Sequence, residues 1–491
     1  MSNYNPMLIT DFYKQSHIHQ YPKGTELVYS TWTPRESRIE GINEVVVFGH
    51  QYFIKKYLID YFNEHFFYKQ KIEVVEDWKR VIKACLSISN PDSSHIESLH
   101  DLGYLPIVIY ALPEGTMVPI RTPCLTIINT LPEFYWLTNA LETLMSCELW
   151  PMYTSATIAR EYKKILDEGA RKTEHNGFTS HQGHDFSFRG MMGVDAAVKT
   201  GMGHLLSFIS TDTVPSILAL EKYYGAKIDS KDIVGCSIPA TEHSIQCTYE
   251  NDEEYLHAML DIYPTGIFSI VCDGYDFWNF LDNILPKFKE KIMKRNGKVV
   301  IRPDSGDPVK ILCGDYLVNM NEEYSLSKNK GAVQRLWEIF GGHKTDGGFK
   351  VLESHIGIIY GDSITLDRAR KIMNELESKS FSTINVVLGI GSYTYQYVTR
   401  DTFGFALKST LCFINGKEKH IFKNPKTDNG TKKSQKGAVI VYKKEDGSIA
   451  WDDNHTLLEF SKSEDNLLEI IFLDGKLLEE VSLEQIRKRM K

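Results

Sequence analysis

The sequence contains no apolar run of the roughly 20 residues that a membrane-spanning helix requires, so no membrane partner is expected. Its first residues lack a basic stretch followed by an apolar one, and no secretory signal is expected. The eight cysteines are scattered, and none forms a CxxC pair. A disulfide scaffold and a cysteine-based metal cluster are therefore not expected. These absences together favour a globular protein of the reducing cytoplasm.

An excess of positive charge is also missing. The chain has 56 Lys and Arg against 64 Asp and Glu, a formal net charge of −8. Proteins that coat nucleic acids usually carry a basic excess, so no nucleic-acid partner is expected. The GxxxxGK[ST] motif is absent, which disfavours phosphoryl transfer on a P-loop. What remains is an ordinary globular composition, and 491 residues allow two to four domains.

The middle of the chain repeats one pattern. Apolar, β-branched runs end at a charged residue or a glycine, and an amphipathic, helix-like stretch follows each run. The predicted strands are Leu205–Ser210, Val234–Ile238, Ile267–Cys272, Val299–Ile301, Ile356–Tyr360 and Ile384–Leu388. The clearest predicted helices are Val214–Tyr224, Tyr275–Lys294 and Asp367–Glu377. The pattern indicates alternating strands and helices.

The spacing of the strand ends indicates the architecture. Asp212, His243, Asp273 and Arg302 follow one another at intervals of 31, 30 and 29 residues, which is the length of a βαβ unit. Runs that are apolar on both faces suit parallel strands covered by helices. A (β/α) barrel collects reactive side chains at the carboxyl rim of its strands and is favoured. An open doubly wound sheet stays an alternative, and residues 313–349 hold an extra unit or an insertion.

The two ends of the chain differ from the middle. Near the C-terminus, Asn415-Gly416, Asp446-Gly447 and Asp474-Gly475 each separate two strand-like runs, so three β-hairpins are predicted. The first part mixes helix near residues 10–20 and 51–62 with a strand at 105–112. The predicted class is therefore α/β: an irregular (β/α) barrel-like domain of parallel strands over 161–394, and a mixed α+β domain with antiparallel hairpins. That second domain comprises 1–160 packed with 395–491.

Several strand ends carry groups that suit a sugar phosphate. Arg302, Asp304 and Ser305 follow one strand within four residues; a guanidinium binds phosphate, and a carboxylate binds ribose hydroxyls or magnesium-bound water. Asp273 and Asp362 hold equivalent places in other units. A single such Asp is more often a helix N-cap, whereas three at one rim favour a magnesium-pyrophosphate substrate.

Weaker signals lie at two other predicted strand ends and in the segment at 184–190. Gly389-Ile390-Gly391-Ser392 could wrap a phosphate or could simply be a tight turn, since the third glycine of GxGxxG is absent. Phe186 and Arg189 could hold a flat ring and a phosphate, or serve the core. His243 could be a general base or a phosphate acceptor, or a structural histidine.

Taken together, the motifs resemble those of the nicotinamide phosphoribosyltransferase family, in order over nearly the whole chain. The motifs are Thr10-Asp11-Phe12-Tyr13-Lys14, Tyr135-Trp136-Leu137-Thr138-Asn139, His184-Asp185-Phe186 with Arg189-Gly190, Thr211-Asp212-Thr213-Val214, Pro239-Ala240-Thr241-Glu242-His243-Ser244, Ile301-Arg302-Pro303-Asp304-Ser305-Gly306, Gly361-Asp362 and Phe422-Lys423-Asn424-Pro425. The resemblance implies transfer of a phosphoribosyl group from phosphoribosyl pyrophosphate to nicotinamide, in a homodimer with active sites at the subunit interface. It also implies Mg²⁺ as cofactor and ATP as a stimulating co-substrate.

The same resemblance implies roles for individual residues. Phe186 and the partner subunit's Tyr13 would sandwich the nicotinamide ring, with Asp212 accepting hydrogen bonds from the carboxamide and Arg302 beside it. His243, the phosphorylated histidine, would be catalytic together with Asp273 and Asp304. The implied contacts to phosphate, pyrophosphate, ribose and magnesium come from Arg189, His243, Arg302, Asp273, Asp304, Gly361, Asp362, Gly391, Ser392, Arg35, Arg400, Lys408 and Lys423.

Two features depart from the family pattern. Gly391-Ser392-Tyr393 stands where vertebrate members have a run of glycines, so a side chain enters that loop. The 302–362 segment and the loop at 33–43 also differ in length.

Substrate choice should depend on Asp212, because a carboxylate accepts an amide NH₂ and repels the carboxylate of nicotinate. The two alternatives are a nicotinate phosphoribosyltransferase and a catalytically silent barrel that binds nucleotides or a protein.

Overall fold

The computed structural model describes residues 4–174, 178–231, 233–423, 427 and 434–491. These residues form two compact units. Unit 1 comprises 1–157, 219–226 and 398–491, and unit 2 comprises 158–218 and 227–397. Within the described ranges, no helix combines the length and the apolar character that crossing a bilayer would need.

Both units combine strands with helices. In chain order, the strands are β1 (Thr25–Thr33), β2 (Glu44–Val46), β3 (Ile107–Ala111), β4 (Met117–Pro119), β5 (Leu125–Asn129), β6 (Gly183–Asp185), β7 (Ser210–Thr211), β8 (Thr265–Val271), β9 (Asn296–Arg302), β10 (Gly342–Lys344), β11 (Lys350–Leu352), β12 (Ile356–Tyr360), β13 (Val386–Ile390), β14 (Ala406–Ile414), β15 (Lys417–His420), β16 (Ala438–Lys443), β17 (Ile449–His455), β18 (Glu469–Leu473) and β19 (Lys476–Leu477). The α-helices are α1 (His50–Phe53), α2 (Lys71–Cys85), α3 (Ser94–Leu102), α4 (Leu137–Lys172), α5 (Thr179–Gln182), α6 (Val194–His204), α7 (Val214–Tyr224), α8 (His243–Gln246), α9 (Asp252–Ile262), α10 (Phe277–Asn279), α11 (Lys289–Met293), α12 (Pro308–Cys313), α13 (Ser325–Lys330), α14 (Ala332–Phe340), α15 (Leu366–Ser378), α16 (Ser392–Gln396), α17 (Leu457–Lys462) and α18 (Leu483–Arg489). Shorter 3₁₀ turns are Pro6–Leu8, Phe12–His19, Pro132–Phe134, Phe188–Gly190, Leu285–Phe288, Thr383–Asn385 and Arg400–Thr402, and π-helical turns are Ile54–Tyr61, Asn63–Phe67 and Phe280–Ile284.

Unit 1 is built on an antiparallel sheet in the order β15-β14-β1-β5-β3-β18-β19. Strands from both ends of the chain therefore pair directly, as Trp32 does opposite Leu407. The three predicted hairpins are present as β14–β15, β16–β17 and β18–β19. Asn415 and Gly416 both have positive φ, 51° and 69°, which is the backbone that a two-residue hairpin turn requires.

The buried carboxylate of Glu114 holds the start of helix α1 in unit 1. The predicted helix near residues 51–62 begins as α1 and continues as π-helical turns to Phe67. The backbone amides of Gly49 and Gln51 donate to the two carboxylate oxygens of Glu114, at 3.0 and 2.7 Å. Glu114 thus satisfies amide groups that the first turn of a helix leaves unpaired.

Unit 2 contains a six-stranded sheet in the order β7-β6-β13-β12-β9-β8, and every neighbouring pair is parallel. Its two edge strands are bridged by one segment. Cys236 pairs in parallel with Ser210 on β7, and Ala240 pairs in parallel with Ser269 on β8. The sheet therefore curls into a ring, which confirms the predicted barrel-like fold rather than the open sheet.

The apolar strand residues form the centre of unit 2. Val299 and Ile301 on β9 and Ile270 on β8 are fully buried. Burial of each such side chain contributes about 1.5–3 kcal/mol. A ring packed in this way is stiff enough to hold polar side chains at its carboxyl rim.

Three predictions for the barrel need correction. Tyr275–Lys294 is not one helix but α10, a π turn, a 3₁₀ turn containing Pro286, and α11, because proline has no amide to continue the hydrogen-bond ladder. The predicted strand Leu205–Ser210 is shortened to β7, since α6 and its closing turns take the residues before it. The predicted strand Val234–Ile238 is not a strand, because within this range only Cys236 forms a β-bridge. For residues 313–349 both an extra unit and an insertion were open; they form α13, α14 and half of the β10–β11 hairpin, which decides for the insertion.

Candidate active site

The carboxyl ends of the parallel strands surround a cavity of about 1180 Å³ in unit 2. The lining residues follow five of the six strands of the ring, which are β6, β7, β9, β12 and β13. Ten of the residues singled out from the sequence line it: Phe186, Arg189, Asp212, His243, Arg302, Asp304, Gly361, Asp362, Gly391 and Ser392. The rim of the barrel thus brings together acids, arginines and an aromatic ring that lie up to 176 residues apart, from Phe186 to Asp362.

The wall around Asp212 is polar and well ordered by hydrogen bonds. His184 Nε2 lies 2.9 Å from Asp212 Oδ1, and the Ser237 hydroxyl donates to the same oxygen at 2.5 Å. Burial acts to raise the pKa of Asp212, but the bonds from His184 and Ser237 and the charge of Arg302 outweigh it and lower the pKa. Asp212 is therefore a carboxylate at neutral pH.

Phe186 is placed by the absence of a side chain on the neighbouring strand. A Cβ on Gly389 would lie 2.6 Å from the Phe186 ring and 2.9 Å from the Cα of Gly361. The Phe186 amide donates to the carbonyl of Ile390 at 3.0 Å, and its ring centroid is 4.4 Å from that of His184. Glycine at 389 is what lets an aromatic ring sit against the sheet here.

His243 and Asp273 form a pair at the neighbouring strand ends. His243 Nε2 is 3.0 Å from Asp273 Oδ1, while the Ser305 hydroxyl and the Asp304 amide donate to Asp273 Oδ2 at 2.6 and 2.9 Å. Burial acts to raise the pKa of Asp273, yet these hydrogen bonds hold the pKa below its ordinary value. The imidazole of His243 stays half-exposed on the cavity.

The guanidinium of Arg302 makes one hydrogen bond and one ion pair at the edge of the cavity. Its Nη2 donates to the carbonyl of Thr241 at 2.8 Å, and its Nε is 3.5 Å from Asp304 Oδ1. Within the described residues the buried Nε has no hydrogen-bond partner. Because Arg302 also lines the cavity, its positive charge would stabilise an anion bound there.

The acidic residues of the rim fit a magnesium-bound substrate. Burial raises the pKa of Asp304, and repulsion from Asp273 and Asp362 adds to the rise against the attraction of Arg302 and His243. A cation would relieve that repulsion. In the described part of the chain no set of three His, Cys, Asp or Glu side chains is arranged to hold a metal ion alone. Mg²⁺ is commonly bound by one or two carboxylates together with substrate phosphates and water. Asp273, Asp304 and Asp362 can provide the carboxylates.

The remaining predicted residues belong to unit 1. Lys408 lies 3.5 Å from Glu142, which also pairs with Lys14 at 2.5 Å, and Lys14 sits over the ring of Tyr13. The others are Arg35, whose Nε donates to the Gly404 carbonyl at 2.8 Å, Arg400 beside Asp401, and exposed Lys423. Asn424 and Pro425 of the last motif lie outside the described residues.

Two residues that contact Asp212 were given no role from the sequence. They are Ser237 and His184. The strand β6 that carries His184 is three residues long and has no apolar run, so periodicity does not detect it. Ser237 belongs to the segment that closes the ring, and its position becomes apparent only when both sheet edges are known.

Comparison with known proteins identifies the family. Residues 181–464 match the Nicotinate phosphoribosyltransferase (NAPRTase) family, and residues 5–84 match the N-terminal domain of nicotinamide phosphoribosyltransferase. A protein of Acinetobacter baylyi named nicotinamide phosphoribosyltransferase is 48% identical, over 99% of this chain and 97% of its own length. The chain belongs to the nicotinamide phosphoribosyltransferase family. The resemblance inferred from the motifs is thereby confirmed.

Other relatives agree with this membership of the nicotinamide phosphoribosyltransferase family. A Mycoplasma pneumoniae protein of that name is 31% identical over 86% of this chain and 92% of its own. Among solved structures, a nicotinate-nucleotide pyrophosphorylase from Pyrococcus furiosus has a TM-score of 0.58 at 14% identity, covering 99% of this chain and 95% of that one. Human nicotinic acid phosphoribosyltransferase has a TM-score of 0.54 at 14% identity, with 98% and 93% covered. At such identities the two structures establish the fold alone.

Proposed function

We propose that this protein transfers the phosphoribosyl group of phosphoribosyl pyrophosphate to nicotinamide, forming nicotinamide mononucleotide and pyrophosphate in NAD salvage. Family membership supports this activity, and so does the chemistry of the cavity. The observation that carries the proposal is Asp212, an ionised carboxylate that faces the cavity in the same wall as the Phe186 ring. That combination suits a flat ring that bears a neutral amide.

The reaction needs positioning more than it needs a base. The lone pair of the pyridine nitrogen forms the new bond to ribose C1, and the bond from C1 to the pyrophosphate oxygen breaks with its electrons leaving on pyrophosphate. No proton has to be removed from nicotinamide. Arg189 and Arg302 both line the cavity and would stabilise the negative charge that grows on the leaving group.

The acidic residues of the rim would bind the ribose and the magnesium ion of the substrate. Asp304 and Asp362 would accept hydrogen bonds from ribose hydroxyls and, with Asp273, order the water around a substrate-bound magnesium ion. When bound, Mg²⁺ would neutralise pyrophosphate charge. The absence of a side chain on Gly361 leaves room for the Asp304 carboxylate, because a Cβ on residue 361 would lie 2.1 Å from Asp304 Oδ1. Gly391 and Ser392 would face the 5′-phosphate.

Selection of nicotinamide over nicotinate follows from Asp212. Nicotinate would place a second carboxylate beside the ionised Asp212, and the two like charges would repel each other. A polar mismatch of this kind can reduce kcat/KM by a factor of roughly 10⁴. The nicotinate phosphoribosyltransferase alternative predicts the opposite preference and is tested by the same assay.

ATP stimulation would act through His243. The imidazole would attack the γ-phosphorus of ATP, the bond from that phosphorus to the bridging oxygen would break, and ADP would leave. Because Nε2 is bonded to Asp273, Nδ1 is the nitrogen in position to accept the phosphoryl group. Water would later cleave the phosphohistidine, with phosphate released.

A homodimer would complete the site. The partner subunit's Tyr13 would stack on the face of nicotinamide opposite Phe186, and Arg35, Arg400, Lys408 and Lys423 would add phosphate contacts. Tyr13 and Phe12 support this arrangement, since both rings are strongly exposed in unit 1, at 61% and 43%.

All eight cysteines are free thiols, which supports a place in the reducing cytoplasm.

One assay tests the proposed activity and its stimulation by ATP. Purified protein is incubated with phosphoribosyl pyrophosphate, Mg²⁺ and either nicotinamide or nicotinate, with and without ATP, and the mononucleotide is quantified. Nicotinamide mononucleotide should form, faster with ATP, and nicotinate should react far more slowly. Preference for nicotinate, or binding without turnover, would refute the assignment.

A further inference from the structure

Two side chains hold the same oxygen of Asp212. His184 reaches Oδ1 from β6, and Ser237 reaches it from the segment that closes the ring between β7 and β8. Both distances, 2.9 and 2.5 Å, are those of short hydrogen bonds to a charged acceptor. Since both bonds end on Oδ1, the two donors restrict the rotation of the carboxylate and leave Oδ2 for another donor.

His184 also touches the aromatic wall of the cavity. Its side chain is only 8% exposed, whereas that of Asp212 is 45% exposed. The centroid of its ring lies 4.4 Å from that of Phe186. The buried imidazole of His184 therefore contacts both the Asp212 carboxylate and the Phe186 ring, and it sets the distance between these two groups.

We propose that His184 and Ser237 are positioning residues that make the site selective for a neutral pyridine carboxamide: they occupy Asp212 Oδ1 and present Oδ2 to the carboxamide N–H. This inference rests on the proposed function and concerns the same pocket. The torsion that rotates a carboxylate is broad, so without fixed donors Asp212 would have to be ordered when the substrate binds. Two donors from two elements remove that cost beforehand.

The same donors keep Asp212 charged. The charged and titratable groups that act on it are His184 on β6 and Arg302 on β9, with the Ser237 hydroxyl as a neutral donor. Burial acts to raise the pKa of Asp212, and these three groups together lower it. Loss of either hydrogen bond should raise the pKa toward or above its ordinary value. A protonated Asp212 would neither attract the amide as well nor repel nicotinate.

Four variants test this inference in the intact protein. His184→Leu and Ser237→Ala each remove one donor, whereas His184→Gln and Ser237→Thr keep a donor at the same place. The measured quantity is kcat/KM for nicotinamide and for nicotinate at saturating phosphoribosyl pyrophosphate, from pH 4 to 8. His184→Leu and Ser237→Ala should lose selectivity for nicotinamide by roughly tenfold to a hundredfold, the effect of one hydrogen bond to a charged group. In wild type the acid limb for nicotinamide lies below this range, because the pKa of Asp212 is lowered; in these two variants it should enter the low end of the range. The Gln and Thr variants should stay near wild type.

A matched control exists on α9. His257 pairs with Asp261 at 3.1 Å on the exposed surface, so His257→Leu removes the same kind of pair outside the cavity and should change neither quantity. Selectivity within twofold of wild type and an unmoved acid limb in Ser237→Ala, whose hydroxyl is exposed and whose loss leaves the core intact, would overturn the inference. Wild-type protein that turns over nicotinate but not nicotinamide would overturn the proposed function itself, and this inference with it.

Discussion

Gly389 and Phe186 are in van der Waals contact across the sheet, and the space between them has no room for a methyl group. A Cβ on residue 389 would lie 2.6 Å from the phenyl ring. Phe186 lines the cavity, whereas Gly389 lies behind it on β13. The glycine therefore sets how deep the ring-binding pocket is without touching a substrate.

Gly389→Ala should push the Phe186 ring into the cavity. Overpacking of this kind costs about 1–3 kcal/mol, so KM for nicotinamide should rise between about 5-fold and 100-fold. KM for phosphoribosyl pyrophosphate should change less, because the added Cβ meets the Phe186 ring at 2.6 Å, whereas Arg302, which would hold pyrophosphate, lies on β9. Steady-state kinetics with each substrate varied in turn will show the difference. An equal rise in both values would mean that the sheet itself has shifted.

Asp212→Asn should relax the choice between nicotinamide and nicotinate. The amide side chain can donate to the carboxylate of nicotinate, and the repulsion between two like charges is gone. The ratio of kcat/KM values for the two substrates should fall by at least tenfold. Competition assays with both substrates present measure this ratio directly. Unchanged discrimination would show that the charge of Asp212 does not select the substrate.

His243→Ala should retain part of the phosphoribosyl transfer and lose the stimulation by ATP. The transfer needs no proton acceptor, whereas the phosphoryl group of ATP needs a nitrogen nucleophile. Rates with and without ATP, together with ADP release, will separate the two effects. His257→Ala, which changes an exposed histidine on α9, is the matched control. The same ATP response in His243→Ala and wild type would exclude His243 from this role.

His50→Gln should make unit 1 less sensitive to acid. His50 is fully buried and bonded to the Tyr153 hydroxyl, and burial lowers the pKa of His50 to about 3. In the unfolded chain this imidazole would titrate near pH 6.5. Below that pH the unfolded state therefore binds a proton that the folded state does not bind until about pH 3. Stability must fall as pH drops below about 6.5, by up to about 1.4 kcal/mol per pH unit.

The measurement for His50 is the melting temperature from pH 7.5 to 4.5. Wild type should lose stability more steeply than His50→Gln below pH 6.5, whereas His257→Gln should follow wild type. Parallel curves for wild type and His50→Gln would contradict the prediction.

Local patterns in the sequence were enough where an element is long and periodic. Val214–Tyr224 and Ile356–Tyr360 were predicted with the bounds that α7 and β12 have. The turn pairs Asn415-Gly416 and Asp474-Gly475 marked two hairpins, because few residues tolerate positive φ at both turn positions. These features depend on neighbours in the chain, so they are visible without tertiary structure.

Elements stabilised by distant partners were missed or misjudged. β6 has three residues and stands between β7 and β13, so its partners and not its own composition make it a strand. The segment at 236–240 closes the ring through single bridges to Ser210 and Ser269. For the same reason nothing marked Ser237 as a neighbour of Asp212.

The sequence by itself determined the family, the repeating strand–helix pattern and the residue types that gather at the strand ends, because these follow from motifs and periodicity. Only the tertiary structure decided that the sheet curls into a ring, that His184 and Ser237 hold one oxygen of Asp212, and that Gly389 makes room for Phe186. Such relationships depend on atoms a few ångströms apart that belong to different strands, and the curl of the sheet sets those distances.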